Sequence, residues 1–170
     1  MHSLDNALTC ADCGCDVSKN DTFCPECGGI FTPPIYCSTH PGVEAEGVCV
    51  ICRAGFCEAC GSRVNRISLC GIHSTYEIAE GMARVFGSED NVQTQFVKNC
   101  LAQAALHPFF FSRQYNPGPD VSPQFSWRLF PDHNLQELKI FVPFKEVLSA
   151  QKILAALNIT DPNRLTSGSS

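Results

Sequence analysis

The chain has 170 residues, is 44% hydrophobic and 17% charged, and carries a formal net charge of −5. Ten ionised ligand thiolates and three divalent ions would take that charge to about −9, which argues against a general attraction for nucleic acid. No run of 18 apolar residues occurs, and the start MHSLDNALT lacks the basic stretch and apolar core of a secretion signal, so neither a membrane span nor secretion is expected and a cytoplasmic location is.

From the N-terminus onward, cysteine sets the pattern. Ten of the twelve cysteines and two of the five histidines form six pairs, each bracketing two residues: Cys10/Cys13, Cys24/Cys27, Cys37/His40, Cys49/Cys52, Cys57/Cys60 and Cys70/His73. A two-residue gap lets one tight turn aim two donor atoms at one ion, and structural zinc takes four such donors, so six pairs predict three zinc ions per chain. A disulfide framework is the rival reading, but bridge formation gives no reason for the same spacing to recur six times.

Residues 1–32 hold the first two pairs as C-x2-C-x10-C-x2-C, each pair followed by Gly, and predict a four-cysteine site from Cys10, Cys13, Cys24 and Cys27. The segment resembles the zinc-ribbon modules. Cys15 stands outside the pattern and is an alternative to Cys13 as a ligand, though the symmetry with Cys24/Cys27 favours Cys13. Five acidic residues against the single Lys19 argue against phosphate contact through this face. Pro33-Pro34 then favours an extended linker.

Residues 35–73 carry C-x2-H-x8-C-x2-C-x4-C-x2-C-x9-C-x2-H, in the stretch CSTHPGVEAEGVCVICRAGFCEACGSRVNRISLCGIH. This resembles the B-box zinc fingers, including their short bacterial forms. The resemblance implies a cross-brace in which Cys37, His40, Cys57 and Cys60 bind one zinc and Cys49, Cys52, Cys70 and His73 another; sequential pairing is the alternative. RING-type ubiquitin ligases share the cross-brace, but the apolar residue usual after the first ligand and the basic one usual after the last are here Ser38 and Ser74. Arg53, Arg63 and Arg66 are this segment's basic residues and offer either a small positive face or three solvated side chains.

After His73 the pairs stop, and residues 74–160 read as an α+β domain of order α-α-β-β-α, with a flexible tail at 161–170. Ser74 and Glu77 have capping-box form and Gly87 suits a helix stop, which predicts a helix at 75–86. Asp90 and Gln93 can cap a second helix ending near His107, with Phe96, Val97, Cys100, Leu101, Ala104 and Ala105 on its apolar face. Alternation predicts strands at 125–129 and 138–142 joined through PDHN, and helical spacing returns at 145–158. Phe109, Phe110 and Phe111 cannot all face inward from one element, so at least one is expected to be exposed.

No catalytic constellation is present: His2, His107 and His133 read as solvated or structural, Cys100 as a small apolar side chain, and closed four-donor sets leave zinc no open position. The expected role is a structural-zinc adaptor or complex subunit with a protein partner, self-association through the C-terminal domain being one route. A RING-like ubiquitin-family ligase and a nucleic-acid-binding ribbon are the alternatives.

Overall fold

A computed structural model describes residues 8–112 and 137–161. The expected strand at 125–129, its PDHN turn, His2, His133 and the tail from 162 lie outside them. The chain divides into two compact units, Met1–Tyr76 and Glu77–Ser170.

The first unit is built from two-stranded hairpins whose ends carry the cysteine pairs. Strands β1 (Leu8–Thr9) and β2 (Asp16–Val17) flank the first pair, and a bridge between Phe23 and Ile30 flanks the second. Strands β3 (Gly47–Val48) and β4 (Gly55–Phe56) form the next hairpin, then β5 (Gly61–Val64) and β6 (Ile67–Cys70). The turn of that last hairpin has Asn65 and Arg66 at φ 50° and 68°, the left-handed pair that a two-residue turn matched to strand twist requires.

Pro33-Pro34, where the sequence favours an extended linker, carries a cis peptide bond, and the segments on either side of it are bonded together. The Val48 amide donates to the Gly28 carbonyl at 2.9 Å, and the Ser68 amide to the Cys27 carbonyl at 2.8 Å. Arg53 donates to the Pro25 carbonyl at 2.9 Å and lies over the Phe23 ring, while Arg63 pairs with Asp12 at 2.8 Å. Two of the three arginines thus work inside the unit. Gly28 sits at φ 75°, and a Cβ there would run into the Val48 carbonyl, so only glycine permits this approach.

The second unit is α+β, but its first element is a hairpin and not the expected helix at 75–86. Strands β7 (Ile78–Ala79) and β8 (Met82–Ser88) turn through Glu80 and Gly81 at φ 46° and 78°. The capping box fails because its partners are committed elsewhere. The Ser74 hydroxyl donates to the Gly71 carbonyl at 3.0 Å, and the Glu77 carboxylate takes Lys139 at 2.8 Å. Gly87 is no helix stop: a Cβ there would strike the Arg84 guanidinium.

Helix α1 (Asn91–Gln103) begins where expected, the Asp90 carboxylate accepting from the amides of Val92 and Gln93 at 2.8 and 3.2 Å. It buries Thr94, Val97 and Leu101, while Phe96, expected on the inner face, is 53% exposed. Thr94 takes an inner place because its hydroxyl donates to the Asp90 carbonyl at 2.8 Å. Strand β9 (Phe109–Ser112) leaves Phe109 exposed. Strand β10 (Leu138–Pro143) and helix α2 (Val147–Ala156) follow, joined by a single 3-10 turn.

The sheet order is β7-β8-β10-β9 with antiparallel neighbours, so β8 and β9 run parallel with β10 between them, a split β-α-β arrangement. A register shift beside Phe141 pairs it with Arg84 and skips Val85. By changing which residues share a face, the bulge sets Arg84 beside Lys139 and Phe141. There Arg84, Glu137, Lys139, Glu77 and Asp161 form a largely buried charge network.

Candidate metal centres

Three groups of four Cys and His side chains meet in the first unit, with the donor atoms of each group all within 4.8 Å of one another. They are Cys10, Cys13, Cys24 and Cys27; Cys37, His40, Cys57 and Cys60; and Cys49, Cys52, Cys70 and His73. Alternate pairs of the second segment therefore come together, and the sequential arrangement does not form.

The hairpins explain this. The loop between β3 and β4 carries Cys49 and Cys52 at one end of the ladder, while Cys57 follows β4 at the other. The β5–β6 hairpin then returns the chain from Cys60 to Cys70, with Gly61 opposite Cys70 and the Gly71 amide donating to the Cys60 carbonyl at 2.6 Å, so a ligand of each cross-braced group stands at the open end of this ladder. In three of the six knuckles a left-handed residue follows the second cysteine and closes the turn. It is Gly14 at φ 77° in the first, Gly28 at 75° in the second and Arg53 at 63° in the Cys49/Cys52 knuckle. Backbone amides pin these turns: Gly14 to the Cys10 carbonyl at 2.8 Å, Gly28 to Cys24 at 2.9 Å and Arg53 to Cys49 at 2.8 Å.

A tetrahedron with metal–sulfur bonds of about 2.3 Å has edges of about 3.8 Å, slightly shorter where one donor is nitrogen. The Sγ–Sγ separations are 3.7 Å for Cys10–Cys27, 3.6 Å for Cys13–Cys24 and 3.8 Å for Cys52–Cys70. His40 turns Nδ1 toward Cys57 and Cys60 at 3.4 and 3.2 Å, and His73 turns Nδ1 toward Cys49 and Cys70 at 3.5 and 3.1 Å. The donor sets and their spacing fit a tetrahedral divalent metal at all three places.

The electrostatics point the same way. Burial pushes the Cys37 thiol up, but the amides of His40, Thr39 and Cys57 bring it down to about 6. At Cys49 the hydrogen bond from Cys52 is the main cause of a fall to about 4. At Cys24 burial is the largest single effect and raises the thiol, but hydrogen bonds from the Cys27 and Glu26 amides and from the Cys15 and Cys27 thiols together bring it down to about 7. Against these, Cys52 is pushed up first by sharing its hydrogen bond with Cys49, and Cys27 and Cys60 first by burial. Crowded sulfurs cannot all ionise beside one another, and a divalent cation is the charge that lets them do so.

Cys15 is brought to the edge of the first group, half-buried, with Sγ 3.2 Å from Cys24 and 3.3 Å from Cys13. Cys100 is half-buried on α1 and belongs to none of the three groups. The exposed His107 imidazole meets the buried Glu146 carboxylate through Nδ1 at 2.7 Å, and its amide donates to the same carboxylate at 2.7 Å. Nothing in the sequence pattern marked the Glu146 contact or the charge network around Arg84, because each joins residues far apart in the chain. Among the described residues, no helix is long and apolar enough to cross a membrane.

A scan of family models, a search of curated proteins and a search of solved structures each found no match to this chain.

Proposed function

We propose that the protein binds three zinc ions as structural cofactors and acts without catalysis, as an interaction adaptor or complex subunit. In this reading the first unit is a zinc ribbon fused to a B-box-like cross-brace. The carrying observation is the set of three four-donor groups, one of four sulfurs and two of three sulfurs and a nitrogen. Soft thiolates with imidazole in tetrahedral array suit zinc, and a set of four protein donors is closed to water and substrate.

Closed sites hold a shape for display. Apolar side chains stand at the surface of this unit, among them Tyr36 at 52% exposed and Ile72 at 77%, the latter inside the last knuckle. Native mass spectrometry is expected to find three zinc ions per chain. One ion, or mass losses of paired hydrogens that mark disulfides, would overturn the reading. For the adaptor role, the protein purified under native conditions from its own cells is expected to carry a stoichiometric protein partner that chelation releases. In a ubiquitin-discharge assay with a charged conjugating enzyme it is expected to be silent, and turnover there would replace the adaptor with a ligase.

A further inference from the structure

We propose that the first metal site has two interchangeable fourth ligands, Cys13 and Cys15, which share the other three, Cys10, Cys24 and Cys27. The proposal rests on the zinc reading above and adds a fifth thiol to that site.

Cys15 Sγ stands 3.2 Å from Cys24 Sγ, while Cys13 Sγ stands 3.6 Å from it. Either sulfur therefore lies within the edge of about 3.8 Å that a four-sulfur zinc site spans. The two candidates are 3.3 Å apart, so a small movement exchanges one for the other beside the same partner.

The remaining three sulfurs are fixed differently. Cys10, Cys24 and Cys27 are 3%, 0% and 0% exposed, whereas Cys13 is exposed. The site thus has three buried thiolates and one corner open to solvent, with two thiols beside that corner.

Cys15 is held there by the fold. The Cys10 amide donates to the Cys15 carbonyl at 2.8 Å, and Cys15 directly precedes β2, which pairs with β1. Between the two thiols Gly14 sits at φ 77°, and a Cβ built on it would find nothing within 4 Å. The peptide linking Cys13 to Cys15 has room to shift when one thiol replaces the other.

Exchange has a chemical consequence. Zinc–thiolate ligands are labile when an incoming thiolate stands next to the outgoing one, and an electrophile that consumes the exposed Cys13 would leave the ion held by Cys15. The neighbouring sites, with four donors each, have no such reserve.

Native mass spectrometry on full-length protein tests this. Wild type, C13S and C15S are each expected to hold three zinc ions, and the C13S/C15S double variant two. Loss of one ion in either single variant, or retention of three in the double, would overturn the proposal while leaving the zinc reading intact. Wild type holding fewer than three ions would instead overturn the zinc reading itself. A second measurement needs no variant: brief iodoacetamide treatment of the zinc-loaded wild type should give, apart from any label on the free Cys100, one label divided between Cys13 and Cys15 with three ions retained. A label confined to Cys15 would show Cys13 to be the sole fourth ligand.

Discussion

The two units solve the same stability problem by different means. Of the eleven buried apolar residues recorded in the first unit, six are cysteines, and only Val48, Val50, Ile51, Phe56 and Leu69 supply other apolar bulk. In the second unit no buried residue is a cysteine, and Phe86, Leu101, Ile140, Phe141 and Val142 lie at 2% exposure or less between sheet and helices. A segment of about 70 residues with so few large side chains cannot stabilise itself by burial alone, so its ligands do the work that a core does next door. Under the proposed zinc binding, stability in the first unit is a binding free energy, and in the second a packing free energy.

Metal removal should break the comparison most sharply. A strong chelator is expected to collapse the first unit and leave the second folded, since each structural zinc contributes about 10–16 kcal/mol in small peptides. Amide NMR spectra would show lost dispersion for residues 8–76 and unchanged shifts for α1, β10 and α2. Concerted loss of both sets would refute the division.

Phe86→Ala is the converse experiment. Phe86 is 0% exposed, and the truncation is expected to cost about 3–5 kcal/mol in denaturant unfolding of the second unit. The zinc count should stay unchanged. A fall in bound zinc would mean that the two stabilities are linked.

The smallest effect sharpens the second unit's electrostatics. Burial would raise the Glu146 carboxyl, but the His107 amide and imidazole outweigh it and hold it below the usual carboxylate range. A carboxyl lowered on folding adds stability above its unfolded pKa and loses it as pH falls through its folded pKa. Glu146→Gln is therefore expected to cost about 1–2 kcal/mol at pH 7, a cost that shrinks toward zero below about pH 4. Equal destabilisation at pH 7 and pH 3 would assign the effect to packing.

Much of the first unit was legible along the chain. A knuckle is a local object: Cys, two residues and a second donor close one turn, and in the first two knuckles the glycine after it, Gly14 or Gly28, takes the left-handed backbone. The same holds for α1, where Asp90 caps the helix through amides two and three residues on. Where sequence reasoning failed, a local signal competed with a distant partner. Ser74 and Glu77 look like a helix start, yet Glu77 answers to Lys139, 62 residues away, and the segment became the β7–β8 hairpin.

By itself, the sequence determined which side chains bind metal-like donors together in pairs, where α1 begins and that β10 is a strand. Those outcomes depend on neighbours within a few residues. Tertiary structure alone decided that alternate pairs of the second segment come together, and that Gly28 accepts the Val48 amide. It alone decided that a bulge beside Phe141 seats Arg84 over Gly87, and that Cys15 arrives 3.2 Å from Cys24. The reason is range: a turn is set by the torsions of its own residues, whereas which turns meet depends on chain reversals that no single spacing encodes.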